Sequence, residues 1–150
     1  MSDRSTNHAT FVIERRYDAA PARVWRAWSD PEQKLQWFGP PELKGREHEI
    51  DFRVGGSERM VVTVPDGTRY TFASRFQDIV EGERFVHTYE MYRDEDRISV
   101  SVATVEFAPD GAGTRLTLTE QGVFLDGHDT PAEREHGTRE LLDKLQEALS

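Results

Sequence analysis

Alternation along strands and winding around a helix direct a small set of polar side chains inward: Arg15, His48, Ser74, His87, Glu120, Arg134 and Thr138. Each needs a partner there, because an unpaired buried polar group costs a few kcal/mol. One chemistry open to them is proton abstraction. His87 or Glu120 would take a proton from a bound carbonyl compound while Arg134 or Tyr89 stabilises the oxyanion. A second is recognition: His87, flanked in parity by Phe85 and Tyr89, is either a ligand contact or a buried histidine satisfied by a backbone carbonyl. Glu120, near the end of a strand, and Arg134, early in the following helix, are placed to pair. The expectation is a solvated rim pair worth under about 1 kcal/mol; the alternative is an ion pair at a cavity mouth. His48, His87 and Glu120 show no metal-ligand spacing, so no metal and no cofactor are expected. Gly55-Gly56-Ser57 is not a nucleophile elbow, and there is no phosphate loop.

The elements that must position these groups begin with the last. Thr130 to Leu149 reads as a helix of about five turns, with Thr130 as N-cap, Pro131 at the first helical position and Glu133 completing a capping box. Leu141, Leu142, Leu145, Ala148 and Leu149 share one arc, which continues through Thr138 and Arg134. The inward stripe thus turns polar toward the N-terminus, so either the first half of the helix leaves the core or it overlooks a cavity containing something polar. His136 and Glu140 fall on the outer side.

Upstream, a polar tail over residues 1–9 is expected to be disordered, and Thr10 to Tyr17 alternates as a strand with Phe11, Ile13 and Tyr17 on one side. The stem of Arg15 is expected to lie along apolar surface with its guanidinium at the rim. Pro21 opens a short helix to Ser29 carrying Val24, Trp25, Ala27 and Trp28. Asp30-Pro31 caps a second with Leu35, Trp37 and Phe38, stopped by Gly39-Pro40. From Leu43 onward, turn residues at Gly55-Gly56, Asp66-Gly67, Glu81-Gly82 and Asp110-Gly111 punctuate alternating segments. The apolar parities run His48-Ile50-Phe52-Val54, Met60-Val62-Val64, Tyr70-Phe72-Ser74-Phe76, Phe85-His87-Tyr89-Met91 and Leu116-Leu118-Glu120. Between Ile98 and Phe107 the parity switches, which calls for a bulge or a change of covered face. The fold class is α+β: a curved antiparallel sheet of about six to seven strands, two short helices and a long C-terminal helix, in a single domain over residues 10–150.

The chain has 150 residues, 36% hydrophobic and 31% charged, with a formal charge of -9 and no cysteine. That length makes one ordinary domain able to bury about 70% of its unfolded surface. The negative charge repels nucleic-acid phosphate, and no Lys/Arg cluster offsets it. Disulfides and thiolate chemistry are excluded. No apolar run approaches the roughly 18 residues of a membrane span, and the N-terminus has no signal-peptide core. A cytoplasmic location is the expectation.

Ala20-Pro21, Val24-Trp25, Ala27, Trp28, Asp30-Pro31, Trp37 to Pro40, Asp51 to Gly56 (DFRVGG), Gly113 to Leu116 and the closing Leu141-Leu142 resemble the bacterial proteins similar to the C-terminal domain of the activator of the heat-shock protein 90 ATPase. That family lies in the START-like (SRPBCC, polyketide-cyclase-like) superfamily, and the resemblance implies the helix-grip fold with a cavity between sheet and long helix. Many relatives carry Trp where Thr138 stands, and loss of that ring would enlarge the cavity. The expected ligand-binding residues are Trp37 and Phe38 at the entrance, with Phe52, Met60, Phe72, Phe76, His87, Tyr89, Glu120, Arg134 and Thr138. The expectation is a module for a small apolar or aromatic ligand. Alternatives are a chaperone-interacting domain and a cyclase- or aromatase-like enzyme using His87 or Glu120.

Overall fold

The structure, a computed structural model, describes residues 4–39 and 45–150. Seven antiparallel strands lie in the order β1-β7-β6-β5-β4-β3-β2: β1 (Thr6–Tyr17), β2 (Glu47–Ile50), β3 (Ser57–Thr63), β4 (Arg69–Val80), β5 (Arg84–Arg93), β6 (Asp96–Asp110) and β7 (Gly113–Leu125). Helices α1 (Pro21–Ser29) and α2 (Pro31–Leu35) follow β1, and α3 (Pro131–Leu149) closes the chain. The meander from β2 to β7 follows from short turns, which can only join antiparallel neighbours. The first strand then adds to the far edge beside β7, so that residues near both ends of the chain meet.

The curvature of the sheet has two local sources. Register shifts past Gln77 in β4 and past Ile98 in β6, each an extra residue that bends and twists its strand. The bulge at Ile98 resolves the switched parity. Ser99, Ser101, Ala103, Val105 and Phe107 all face inward and are buried, while Val100 lies on the outer face.

Three bounds differ from expectation. The second helix ends at Leu35, so Trp37 and Phe38, expected on it, lie in the turn that follows. The first strand starts at Thr6 rather than Thr10, with Thr6 opposite Leu125 and Ala9 opposite Gly122. Thr6, Asn7 and His8 are exposed, so no alternation of burial marks them; their backbone groups bond to β7 all the same. Only residues 1–3 of the expected tail lie outside the described residues, as do Pro40 and Leu43. The second strand ends at Ile50, and Phe52 lies in the loop that follows. There the Gly55 N–H donates to Phe76 O and the Phe76 N–H to Gly56 O, at 2.8 and 3.0 Å.

One end of the grip is solid. Trp25 of α1 lies edge-on to Phe52 and Phe107 at centroid distances of 5.5 and 5.0 Å, and Trp28 meets Trp37 at 4.7 Å. Leu142 and Leu145 of α3 complete this core. The Tyr17 hydroxyl donates to Leu142 O at 3.0 Å and Arg23 Nη2 to Ala148 O at 3.3 Å, fastening the C-terminal half of α3 to β1 and α1. Arg15 reaches Arg139 O and Asp143 from the rim, as its parity implied.

The loop before β3 tolerates no side chain at Gly56, where a Cβ would stand 2.1 Å from Asp51 O. Gly56→Ala is expected to destabilise the fold by about 1–3 kcal/mol through forced backbone displacement. Urea unfolding measures it, and an unchanged midpoint would contradict this account.

Candidate functional site

Beyond that packed end, the sheet and the N-terminal half of α3 enclose a cavity of about 320 Å³. Its apolar wall comes from Phe72 of β4, Met60 and Val62 of β3, Met91 of β5, Leu118 of β7 and Leu141 of α3, with Trp28, Trp37 and Phe38 closing the side toward α1 and α2. Gly137 of α3 also faces it, and a Cβ added there would meet nothing within 4 Å.

The polar part of the wall begins with a buried network across β5, β6, β7 and α3. The Tyr89 hydroxyl donates to Glu120 Oε2 at 2.7 Å, and the Ser101 hydroxyl donates to the same oxygen at 3.0 Å. Register explains the meeting: Ser101 is opposite Tyr89 on one side and Gly122 on the other, two residues from Glu120. Arg134 Nη1 donates to the Tyr89 hydroxyl at 2.9 Å and lies 3.5 Å from Glu120 Oε2. Its Nη2 reaches Ser99 Oγ at 2.8 Å and Asp129 Oδ2 at 3.1 Å. Thr130 caps the helix by accepting from the Glu133 N–H, which sets Arg134 in the first turn. The reciprocal half of the capping box does not form; the Thr130 N–H goes to Asp129.

The solvated rim pair expected of Glu120 and Arg134 is therefore corrected to a buried pair, with side chains 4% and 11% exposed. Sequence spacing could not reveal that Tyr89, Ser101 and Phe124 enclose it; Phe124 lies under the guanidinium at 5.1 Å. Burial raises the Glu120 carboxyl above the ordinary carboxylate range, opposed by its hydrogen bonds and the Arg134 charge. Burial and the Glu120 charge likewise raise the Tyr89 phenol. Both groups cast as oxyanion stabilisers are thus committed to the would-be base.

His87 stands next along the same strand. Its Nδ1 is 2.9 Å from Ser74 Oγ, so a hydroxyl rather than a backbone carbonyl satisfies it. The ring stacks between Tyr89 and Phe76 at 5.5 and 6.1 Å. Burial first, and the Lys34 charge second, push its pKa down to about 4. The imidazole is neutral near pH 7 and a poor proton acceptor, and its Nε2, on a residue that lines the cavity, has no hydrogen-bond partner among the described residues.

A third cluster was not anticipated. Lys34 Nζ pairs with Glu58 Oε1 at 3.0 Å and His48 Nε2 with Glu58 Oε2 at 2.8 Å; all three side chains are at most 4% exposed. The ammonium sits among rings, 4.4 Å from Phe38, 5.1 Å from Trp28 and 5.5 Å from Trp37, favourable to a desolvated cation. Glu58 is held below the ordinary range: burial opposes its charge, but Lys34 and His48 prevail. A signal existed, since Glu58 shares the parity of Met60 and Val62. Lys34 is the fourth residue of α2, a helix of five residues and too short to define a face.

Other expected residues are redistributed. Met60, Phe72, His87, Tyr89, Glu120 and Arg134 line the cavity, as do Trp37 and Phe38. Trp37 is not at an entrance, being 1% exposed with its indole N–H on Ala27 O at 2.9 Å. Phe52 and Phe76 are outside the lining. They pack on each other at 4.8 Å and on Phe85 in the solid end, because the loop after β2 turns Phe52 down onto Trp25. Thr138 is on the wall, but its hydroxyl donates to Arg134 O at 2.8 Å, so it has no proton left to give a ligand and can only accept. Among the described residues, no group of three His, Asp or Glu side chains gathers as metal ligands would, and no helix is long and apolar enough to cross a membrane.

A curved antiparallel sheet gripping one long helix over such a cavity defines a helix-grip domain of the START-like kind. The model of the family described as Activator of Hsp90 ATPase homolog 1-like protein matches residues 18–150, and the chain belongs to that family. A protein from Rhizobium leguminosarum is similar in structure, with 45% identity, 97% of each chain covered and a TM-score of 0.93. The Mll3558 protein from Rhizobium loti shares 42% identity over 96% of this chain and 99% of its own, with a TM-score of 0.89. CV1439 from Chromobacterium violaceum is 26% identical over 93% and 96%, with a TM-score of 0.76. No curated protein matches the chain by sequence.

His87 makes acid stability testable. Unfolded, it titrates near about 6.5; folded, near about 4. Below about 6.5 the unfolded chain takes up a proton that the folded protein refuses, so stability falls as pH drops through that window. The full span amounts to about 3 kcal/mol. Between pH 7 and pH 4.5, urea unfolding should show the wild type losing about 2–3 kcal/mol more than His87→Gln. Equal losses would contradict a buried neutral imidazole.

Proposed function

We propose that this domain binds a compact apolar or aromatic small molecule in the cavity between the sheet and α3. One observation carries the reading: about 320 Å³ of space is walled by aromatic rings, methionines and leucines, with a few convergent polar atoms from His87 and Glu120. That volume is at the lower end of the range for small-molecule sites, roughly 300–1,000 Å³. It suits a molecule of two or three rings better than a long-chain lipid. An empty apolar cavity of this size costs the wall its dispersion contacts, which a ligand of matching shape restores. Family membership supports the same reading, since the resemblance implies a ligand cavity at this place. The working location is the cytoplasm.

The family description also carries a second reading, a domain that acts on a chaperone ATPase. Co-purification with the chaperone of its own cell and stimulation of that ATPase test it, and failure in both assays removes it.

The binding reading predicts a blocking variant. Gly137→Leu places a side chain where a Cβ meets open space and replaces a poor helix former with a good one, a gain of about 0.5–1 kcal/mol. The variant is expected to be at least as stable as the wild type, and to lose saturable amide shifts when titrated with naphthalene- and biphenyl-sized aromatics. Shifts equal in both proteins, or confined to the outer face of the sheet, would overturn the assignment of the cavity.

A further inference from the structure

The two oxygens of Glu120 are used very differently. Oε2 collects the Tyr89 and Ser101 hydroxyls and the neighbouring Arg134 guanidinium, whereas Oε1 receives no donor among the described residues. Oε1 is not sealed in, because Trp28 Nε1 is the one enclosed side-chain polar atom without a partner among the described residues. Glu120 lines the cavity. What remains at this point of the wall is a carboxylate oxygen with free lone pairs inside a mostly apolar space.

We propose that Glu120 Oε1 is the specificity point of the cavity, accepting a hydrogen bond from a hydroxyl or N–H group of an uncharged aromatic ligand. The proposal rests on the ligand-binding reading and deepens it. Two hydroxyl donors on Oε2 and the adjacent Arg134 charge oppose the effect of burial and favour the ionised form, and an ionised carboxylate only accepts. A phenol or an aryl N–H therefore completes the site. An ether or ketone at the same place sets lone pair against lone pair, and a carboxylate sets charge against charge.

The cations of the wall do not rescue an anion. The Nη atoms of Arg134 are taken by Tyr89, Ser99 and Asp129, and Lys34 is paired with Glu58. His87 Nε2 supplies a second contact of either sense, since Ser74 can donate to or accept from the other ring nitrogen. It orients the ligand without deciding the class. A site that leaves a buried polar group unmet discriminates strongly against an analogue lacking the matching group.

Calorimetric or fluorescence titration of the whole protein at pH 7 tests this with matched pairs: 2-naphthol against 2-methoxynaphthalene, and 4-phenylphenol against 4-methoxybiphenyl, with 2-naphthoate as the anion. The hydroxyl member of each pair should bind about tenfold more tightly or better, and 2-naphthoate should not saturate. In Glu120→Gln the carboxamide can donate to the ether, so each pair should converge to within about threefold. The ranking on the unaltered protein stands whether or not that variant folds. Equal affinities within each wild-type pair, or a preference retained in Glu120→Gln, overturn the role of Glu120 and leave ligand binding intact. Absence of binding by every compound overturns the binding reading and this proposal with it.

Discussion

Arg134 is the strut on which the open half of the grip depends. The C-terminal half of α3 is held by Leu142, Leu145 and the bond from Tyr17, in ordinary core packing. The N-terminal half has no such core beneath it, only the cavity. A helix standing over empty space needs a tie that does not fill the space, and a long cationic side chain reaching β5, β6 and β7 at once provides one. The guanidinium is planar, with donors in a fixed fork, so bonds to Ser99 and Tyr89 fix the first turns of the helix in direction as well as in distance.

This tie does not obviously stabilise the fold. Desolvating Glu120 and Arg134 costs several kcal/mol, and a well-packed apolar pair of similar volume is often as stable or more so. Breaking the pair from one side is a different matter, because it strands a charge. The arrangement is therefore easier to lose than to trade, and it fixes the height of α3 above the sheet. The cluster at Lys34 follows the same logic beside α2. Glu58 draws a lysine and a histidine from two other elements, and the rings around Lys34 soften the desolvation that burial imposes.

Much of this was legible in the sequence where a local rule and a global need agree. Pro21, Asp30-Pro31 and Thr130-Pro131 place the three helices because capping is decided within four residues. The strands follow from alternation, and the helix wheel puts Arg134 and Thr138 on the same arc as the leucines, the arc that faces the cavity. The remainder depends on distances along the chain that no periodicity reports. Lys34 and Glu58 meet across 24 residues. The burial of Arg134 requires Phe124 and Tyr89 to close over it. Phe52 kept the parity of a strand that ends at Ile50, and it joined the core by way of a loop. Thr138 shows another limit: a helix wheel gives the direction of a side chain, not whether its hydroxyl has already turned back to the backbone.

The two clusters share one electrical property, which bears on what the cavity can hold. Glu120 stands with Arg134 and Glu58 with Lys34, so each buried carboxylate has a cation within 3.5 Å. Near pH 7 His87 stays neutral between them. A cavity balanced in this way presents strong local dipoles with little net charge. An incoming ion would have to be desolvated with no unpaired counter-charge waiting, a cost of several kcal/mol that apolar contact over so small a volume does not readily offset. A neutral molecule escapes that cost and can align its own dipole with the field between the clusters. The same pairing that holds the helix above the sheet thus favours an uncharged occupant of the space beneath it.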